Sequence, residues 1–157
     1  MNREQAMLQQ SLSKLDAHYQ AMPPVSAMRL RIAGFDGQCL RLHAPLGCHV
    51  NDKGCAFGGS MSSLMTLAAW GVVTLRLEQA GLPADVFVAD SEVRYLAPLF
   101  DDLQAEARLA DDESWDVFCA GLRERGRART TLEAWVSLPA GGMAAQSRAR
   151  YVAIAKR

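Results

Sequence analysis

Met7, Leu8, Leu12, Leu15, Tyr19 and Met22 recur at helical spacing with polar residues between them, predicting a helix over 4–21. Pro23-Pro24 ends it, because a proline nitrogen has no hydrogen to give the helical ladder. The period then changes to two. Met28, Leu30 and Ile32 alternate with Arg29 and Arg31, and Leu40 and Leu42 flank Arg41. Asp36-Gly37 lies between these runs as a tight-turn signal, so 26–44 reads as a β-hairpin. An irregular stretch follows from Pro45 to Phe57.

From Gly58 to Leu75 no residue is charged, a run long enough to span a membrane if it were uniformly apolar. Gly58, Gly59, Ser60, Ser62, Ser63, Thr66, Gly71 and Thr74 interrupt it. The expectation is therefore a protein-enclosed helix from about Gly58 to Gln79, closing at Gly81 with Pro83 beyond. Residues 86–97 then read as a strand closed by Pro98, and 102–110 as a second, with Leu103, Ala105, Ala107 and Leu109 on one face. Ser114 suits the N-cap of a short helix bearing Trp115, Phe118 and Leu122, which Gly126 can terminate. Two last strands, 127–138 and 144–155, flank the turn Pro139-Ala140-Gly141-Gly142.

Strands that follow a single long helix indicate an α+β fold, with an antiparallel sheet around that helix and a further helix at the N-terminus. One sheet cannot enclose a helix that lacks a polar face, so a second subunit is expected over the remainder. No repeat, linker or low-complexity tract divides residues 1–157, which read as one domain.

Acidic and basic residues number 17 each, which gives no general attraction to nucleic acid or to an anionic membrane. Cys39, Cys48, Cys55 and Cys119 form no C-x-x-C pair or ligand cluster and read as thiols of a reducing compartment. The opening Met-Asn-Arg-Glu-Gln has no signal-peptide core, so a cytoplasmic location is expected.

The chemistry concentrates in Asn51-Asp52-Lys53-Gly54-Cys55-Ala56-Phe57-Gly58-Gly59-Ser60, from which the uncharged helix starts. Glycines allow close approach of a ligand to the backbone, and the first turn of a helix carries unpaired N–H groups and partial positive charge. A carbonyl oxygen placed there is polarised, as acyl transfer requires.

These residues, together with Ser91-Glu92-Val93-Arg94-Tyr95-Leu96-Ala97-Pro98, Gly126-Arg127-Ala128-Arg129 and Arg150-Tyr151-Val152-Ala153, resemble the hot-dog fold acyl-CoA thioesterase superfamily. The likeness is closest to the thioesterase-like domain at the C-terminus of YiiD-type acetyltransferase-like proteins. It implies a hot-dog fold, a thioester of CoA or acyl carrier protein as substrate, no cofactor or metal, and a homodimer or homotetramer with sites between subunits. In that superfamily an Asn-x5-His-Gly-Gly motif opens the central helix, and an acid two turns later acts as base or nucleophile. Here Asn51 matches the asparagine and Gly58-Gly59 the glycine pair; Phe57 stands at the histidine and Thr66 at the acid.

The resemblance thus implies a carbonyl-polarising turn without its usual acid. Asn51 either orients a carbonyl or water or braces its loop, while Asp52 and Lys53 read as solvated charges. Phe57 reads as an apolar wall or as part of the core. Thr66 and Ser62 can position a water or a substrate, or bond back along the helix. No G-x-S-x-G elbow surrounds Ser62 or Ser63, so a serine hydrolase is not expected. His18, His43 and His49 have no carboxylate at a suggestive spacing, and only His49 lies near the turn. The same lack of a His/acid pair disfavours a dehydratase or hydratase. Asp90 and Glu92 share a strand face with Arg94 and either face solvent or reach a neighbouring subunit's turn. Arg125, Arg127 and Arg129, with Arg123, form the densest basic run, suited to the phosphates of CoA. The leading expectation is a thioester hydrolase; the second is a silent domain that binds an acyl ligand.

Overall fold

The computed structural model describes residues 1–157 throughout. Helix α1 (Arg3–Ala21) opens with a reciprocal cap: the Asn2 side chain accepts from the Gln5 N–H at 2.8 Å, and Gln5 Oε1 accepts from the Asn2 N–H at 3.1 Å. Its buried side chains are Leu15 and Tyr19.

The proline pair ends α1 as the sequence predicts, but it also begins a short helix, α2 (Pro23–Ser26), with proline at its first position. The predicted hairpin therefore starts later. Met28 and Arg29 N–H groups bond to Val25 and Ser26 carbonyls, Arg29 takes φ 53°, and the first strand, β1 (Arg31–Phe35), begins beyond them. β1 pairs with β2 (Leu40–Ala44) across the Asp36-Gly37 turn, where Asp36 Oδ1 accepts from the Gln38 and Cys39 N–H groups.

A single 3₁₀ turn, Leu46–Cys48, leads toward the central helix α3 (Gly58–Gln79). Four further elements follow: β3 (Ala84–Tyr95), β4 (Leu103–Leu109), α4 (Trp115–Arg125) and β5 (Arg127–Ser137). β6 (Met143–Ala155) closes the chain. The six strands form one antiparallel sheet in the order β1-β2-β4-β5-β6-β3. Its inner face wraps α3, whose Met61, Leu64, Met65, Ala68, Val72 and Leu75 are buried in one continuous core.

Small sheet residues make that wrap close. Ala105, Ala107, Ala134, Ala145, Ala149 and Ala153 are all buried and alternate with Leu40, Leu42, Leu132, Val136 and Tyr151 on the inner face, so the larger side chains pack against α3 with small ones between them. α1 crosses α3 at Gly71, where a Cβ would run into the Tyr19 hydroxyl and the Leu40 side chain. Tyr19 Oη and Tyr151 Oη donate to consecutive α3 carbonyls, Leu67 at 2.7 Å and Thr66 at 3.3 Å.

One side of α3 is left open. Gly59 and Ser63 are exposed, and Ser62, Thr66, Leu67, Trp70 and Thr74 are half-buried. Beside this stripe runs β3, a 12-residue edge strand bearing exposed Phe87, Val88 and Tyr95. No helix is long and apolar enough to cross a membrane.

Candidate functional site

Phe57 is the N-cap of α3 and makes no side-chain capping bond. A Ser, Asp or Asn there would cover the second or third amide of the helix. Ser60 N–H reaches the Phe57 carbonyl at 3.0 Å, whereas the Gly58 and Gly59 N–H groups have no acceptor within the chain. The two unpaired donors stand at the positive end of a 22-residue helix.

Two aromatic rings flank them. The ring of Phe57, 55% exposed, lies over Gly59, where an added Cβ would come within 2.6 Å of it. Tyr95 packs on Gly58 and donates its hydroxyl to the Gly58 carbonyl at 3.2 Å. Exposed Leu96 and Phe100 follow on the loop whose Leu99 carbonyl accepts from the Ala56 N–H at 2.8 Å.

Asn51 is committed to its own loop. Its carboxamide oxygen accepts from the Lys53 N–H at 2.8 Å and the Cys55 N–H at 3.1 Å, and its NH₂ group lies 3.3 Å from Cys55 Sγ. Gly54, at φ 83°, completes this tight turn. Asp52 and Lys53 pair with one another in solvent.

The helix hydroxyls bond back along α3: Ser62 Oγ donates to the Gly59 carbonyl at 3.1 Å and Thr66 Oγ1 to the Ser62 carbonyl at 2.9 Å. Thus Phe57, Gly58, Gly59, Ser62 and Thr66 share one helical end, with Asn51 shaping the approach.

The fold also brings in His49, which is only 6% exposed. Its Nε2 lies 2.8 Å from the Met28 carbonyl, and its Nδ1 lies 2.8 Å from Ser60 Oγ. A carbonyl can only accept, so Nε2 bears the proton; in the neutral ring Nδ1 is then an acceptor and the Ser60 hydroxyl donates to it. The one signal in the sequence was the nearness of His49 to Asn51. Ser60 and Met28 are separated from His49 by 11 and 21 residues. His43, unlike His49, has a carboxylate partner, Asp102 Oδ2 at 3.1 Å, but 59 residues away and so beyond any suggestive spacing in the sequence. The Leu46 N–H, and then His43, hold the Asp102 carboxyl below the usual range.

This geometry belongs to a chain of known kind. The family described as "Putative thioesterase (yiiD_Cterm)" matches residues 10–155. The chain belongs to this family. It is similar over 94% of its length to a protein of unknown function from Chlorobaculum tepidum TLS, covering 96% of that chain at 27% identity and TM-score 0.89. It resembles the "putative thioesterase from Shewanella oneidensis" at 28% identity and TM-score 0.82, over 93% of this chain and 99% of that one. A thioesterase from Haemophilus influenzae, 16% identical with TM-score 0.68 over 84% and 82% of the two chains, shares the fold. These likenesses establish the hot-dog architecture.

The remaining residues singled out in the sequence lie elsewhere in this family member. Tyr95 faces α3, and strand alternation puts Asp90 and Glu92 on the opposite, outer face, in register with Arg150 and Arg148. Arg150 grips Asp90 with Nε and Nη2, and this bond holds the Asp90 carboxyl below the usual range. Arg125, Arg127 and Arg129 line a shallow concavity of about 480 Å³ where α4 meets β5. Arg127 and Arg129 also face outward, opposite Ile154 and Val152.

Proposed function

We propose that this protein hydrolyses an acyl thioester of CoA or acyl carrier protein at the glycine turn. The observation carrying this reading is the pair of unpaired Gly58 and Gly59 N–H groups at the start of α3, flanked by two aromatic rings. Two such donors receive the carbonyl oxygen as charge develops on it, each contributing about 3 kcal/mol to the transition state. Phe57, Tyr95, Leu96 and Phe100 offer the acyl chain a surface that excludes water. Asn51 fixes the loop that delivers the turn, and Ser62 and Thr66 line the helix face beside it.

Within one chain Asp90 and Glu92 point away from the face carrying Gly58, so neither serves as base for its own turn. The working unit is a homodimer joined along β3, placed in the cytoplasm with its four cysteines free. Arg127 shares a row of the sheet with Asp85, at the opposite end of β3 from Tyr95. An antiparallel partner brings its own turn to that end on the inner face, and the long pantetheine arm of CoA can carry its phosphates round the end of the sheet to Arg125, Arg127 and Arg129 on the outer side.

A panel of acetyl- to palmitoyl-CoA with free-thiol detection tests the reading; no release above background on any member rejects it. The second reading, a silent acyl-binding domain, is favoured by Thr66 in place of the helix acid. Thr66→Asp separates the two, because a silent but intact site gains turnover on acquiring a base.

A further inference from the structure

We infer that Ser60 is the nucleophile of this site and His49 its base, so that hydrolysis passes through an acyl-serine intermediate. The inference rests on the glycine turn being the thioester site, and it supplies the group that the missing helix acid leaves unassigned. No Asp or Glu occurs between Asp52 and Glu78, and the nearest strand acids face away.

The arrangement has the parts such a step needs. Ser60 Oγ is 2.8 Å from His49 Nδ1, and the Met28 carbonyl holds the other ring nitrogen in the protonated form that leaves Nδ1 free to accept. The loop carrying the base is tied to the helix carrying the nucleophile, since the His49 carbonyl accepts from the Phe57 N–H at 2.7 Å. Ser60 follows Gly58 and Gly59 on the same first turn, so the nucleophile and the carbonyl-polarising amides share one rigid support. Burial of the imidazole fixes its orientation toward the hydroxyl.

The step balances. Ser60 Oγ bonds to the thioester carbonyl carbon as its proton passes to His49 Nδ1, and the carbonyl π pair moves onto oxygen at the Gly58 and Gly59 N–H groups. The pair returns, the C–S bond breaks, and the departing thiolate takes the proton from His49. The Met28 carbonyl steadies the transient imidazolium through Nε2–H. Water then attacks the acyl-serine with His49 as base, releasing the carboxylic acid and restoring the hydroxyl.

An alkyl fluorophosphonate tests this without requiring thioester turnover, because it transfers its phosphonyl group to an activated serine oxygen with loss of fluoride. Mass spectrometry of the labelled wild-type chain should find one adduct, on Ser60. Labelling should vanish in Ser60→Ala and slow by about 10²–10⁴-fold in His49→Gln. Thiol release from acetyl- to palmitoyl-CoA should fall by a similar factor in both variants, with circular dichroism confirming their fold. A wild type that hydrolyses acyl-CoA yet takes no label on Ser60, or a Ser60→Ala variant that keeps full turnover, overturns the serine assignment and leaves the thioesterase reading intact. A labelled Ser60 in a protein that cleaves no acyl-CoA supports the dyad and removes the thioesterase reading. Neither label nor turnover removes both.

Discussion

Gly71 and Gly59 both crowd a would-be side chain, yet the obstacles differ in kind. At Gly71 the Cβ meets the Tyr19 hydroxyl and Leu40, both wholly buried where α1 crosses α3. Neither can retreat without opening the crossing or breaking the bond from Tyr19 to the Leu67 carbonyl. Gly71→Ala is expected to destabilise the fold by about 1–3 kcal/mol, measured by urea titration. At Gly59 the obstacle is the mobile end of the exposed Phe57 ring, which can swing into solvent. Gly59→Ala should therefore leave the urea midpoint nearly unchanged while lowering kcat, since its methyl group stands beside the donor. The arginines act differently again. Exposed charge contacts contribute roughly 0.2–1 kcal/mol each, so Arg127→Ala or Arg129→Ala should raise KM for acyl-CoA roughly two- to fivefold with kcat held. A pantetheine thioester, which lacks the nucleotide phosphates, should show no such change. Equal losses on both substrates would detach these arginines from CoA.

At the scale of elements, the two tyrosines that donate to α3 give the helix a pH-dependent anchor. Burial pushes both phenols up from their ordinary value of 10.0. The unfolded chain gives up these protons near that value while the folded chain keeps them. Stability contributed by the neutral phenols is thus fully present below pH 10.0 and is lost as pH rises above it. The expected slope is about 1.4 kcal/mol per pH unit for each tyrosine, and Tyr151→Phe should remove one share of it in alkaline thermal melts. α4 is held by local chemistry instead: Ser114 Oγ accepts from the Val117 N–H at 3.3 Å, and Gly126 closes the helix at φ 72°.

Such signals explain which elements were legible in the sequence. α3 runs over the predicted Gly58–Gln79 because paired glycines open it and Gly81, at φ 67°, closes it. The α4 cap and stop were readable for the same reason, and β3 to β6 begin and end within about two residues of expectation. The stretch 26–30 misled because Met28, Leu30 and Ile32 keep a strand-like alternation through what is a turn. The glycine turn, too, was visible as a motif. The partners of His49 were not, since three segments far apart in sequence meet only when the sheet closes around α3. The ion pair of Asp90 with Arg150 spans 60 residues and was equally hidden.

For the whole molecule, the two edges of the sheet differ in how they are guarded. β1 is five residues long and irregular between Ile32 and Gly34, and the Arg41 guanidinium lies against Gly34. A short, bulged, charged edge resists pairing with another strand. β3 offers 12 residues, about 40 Å of strand, with exposed Phe87 and Val88 and the open stripe of α3 beside it. Its register shift between Val88 and Asp90 bends the edge but leaves residues on both sides paired to β6. A second copy laid antiparallel along β3 would continue the sheet and cover Thr66, Leu67 and Trp70, which one sheet leaves half-buried. It would also carry its glycine turn to the end of the sheet where the arginines lie. Sedimentation velocity at micromolar concentration should therefore give a species of twice the 17.1 kDa chain mass, or a multiple of it. Val88→Lys places a charge beside the joining strand and should shift that species toward the single chain, with acyl-CoA turnover falling in step as the covering subunit leaves. A wild type that sediments as one chain while turning over substrate would show that the open face of α3 works uncovered.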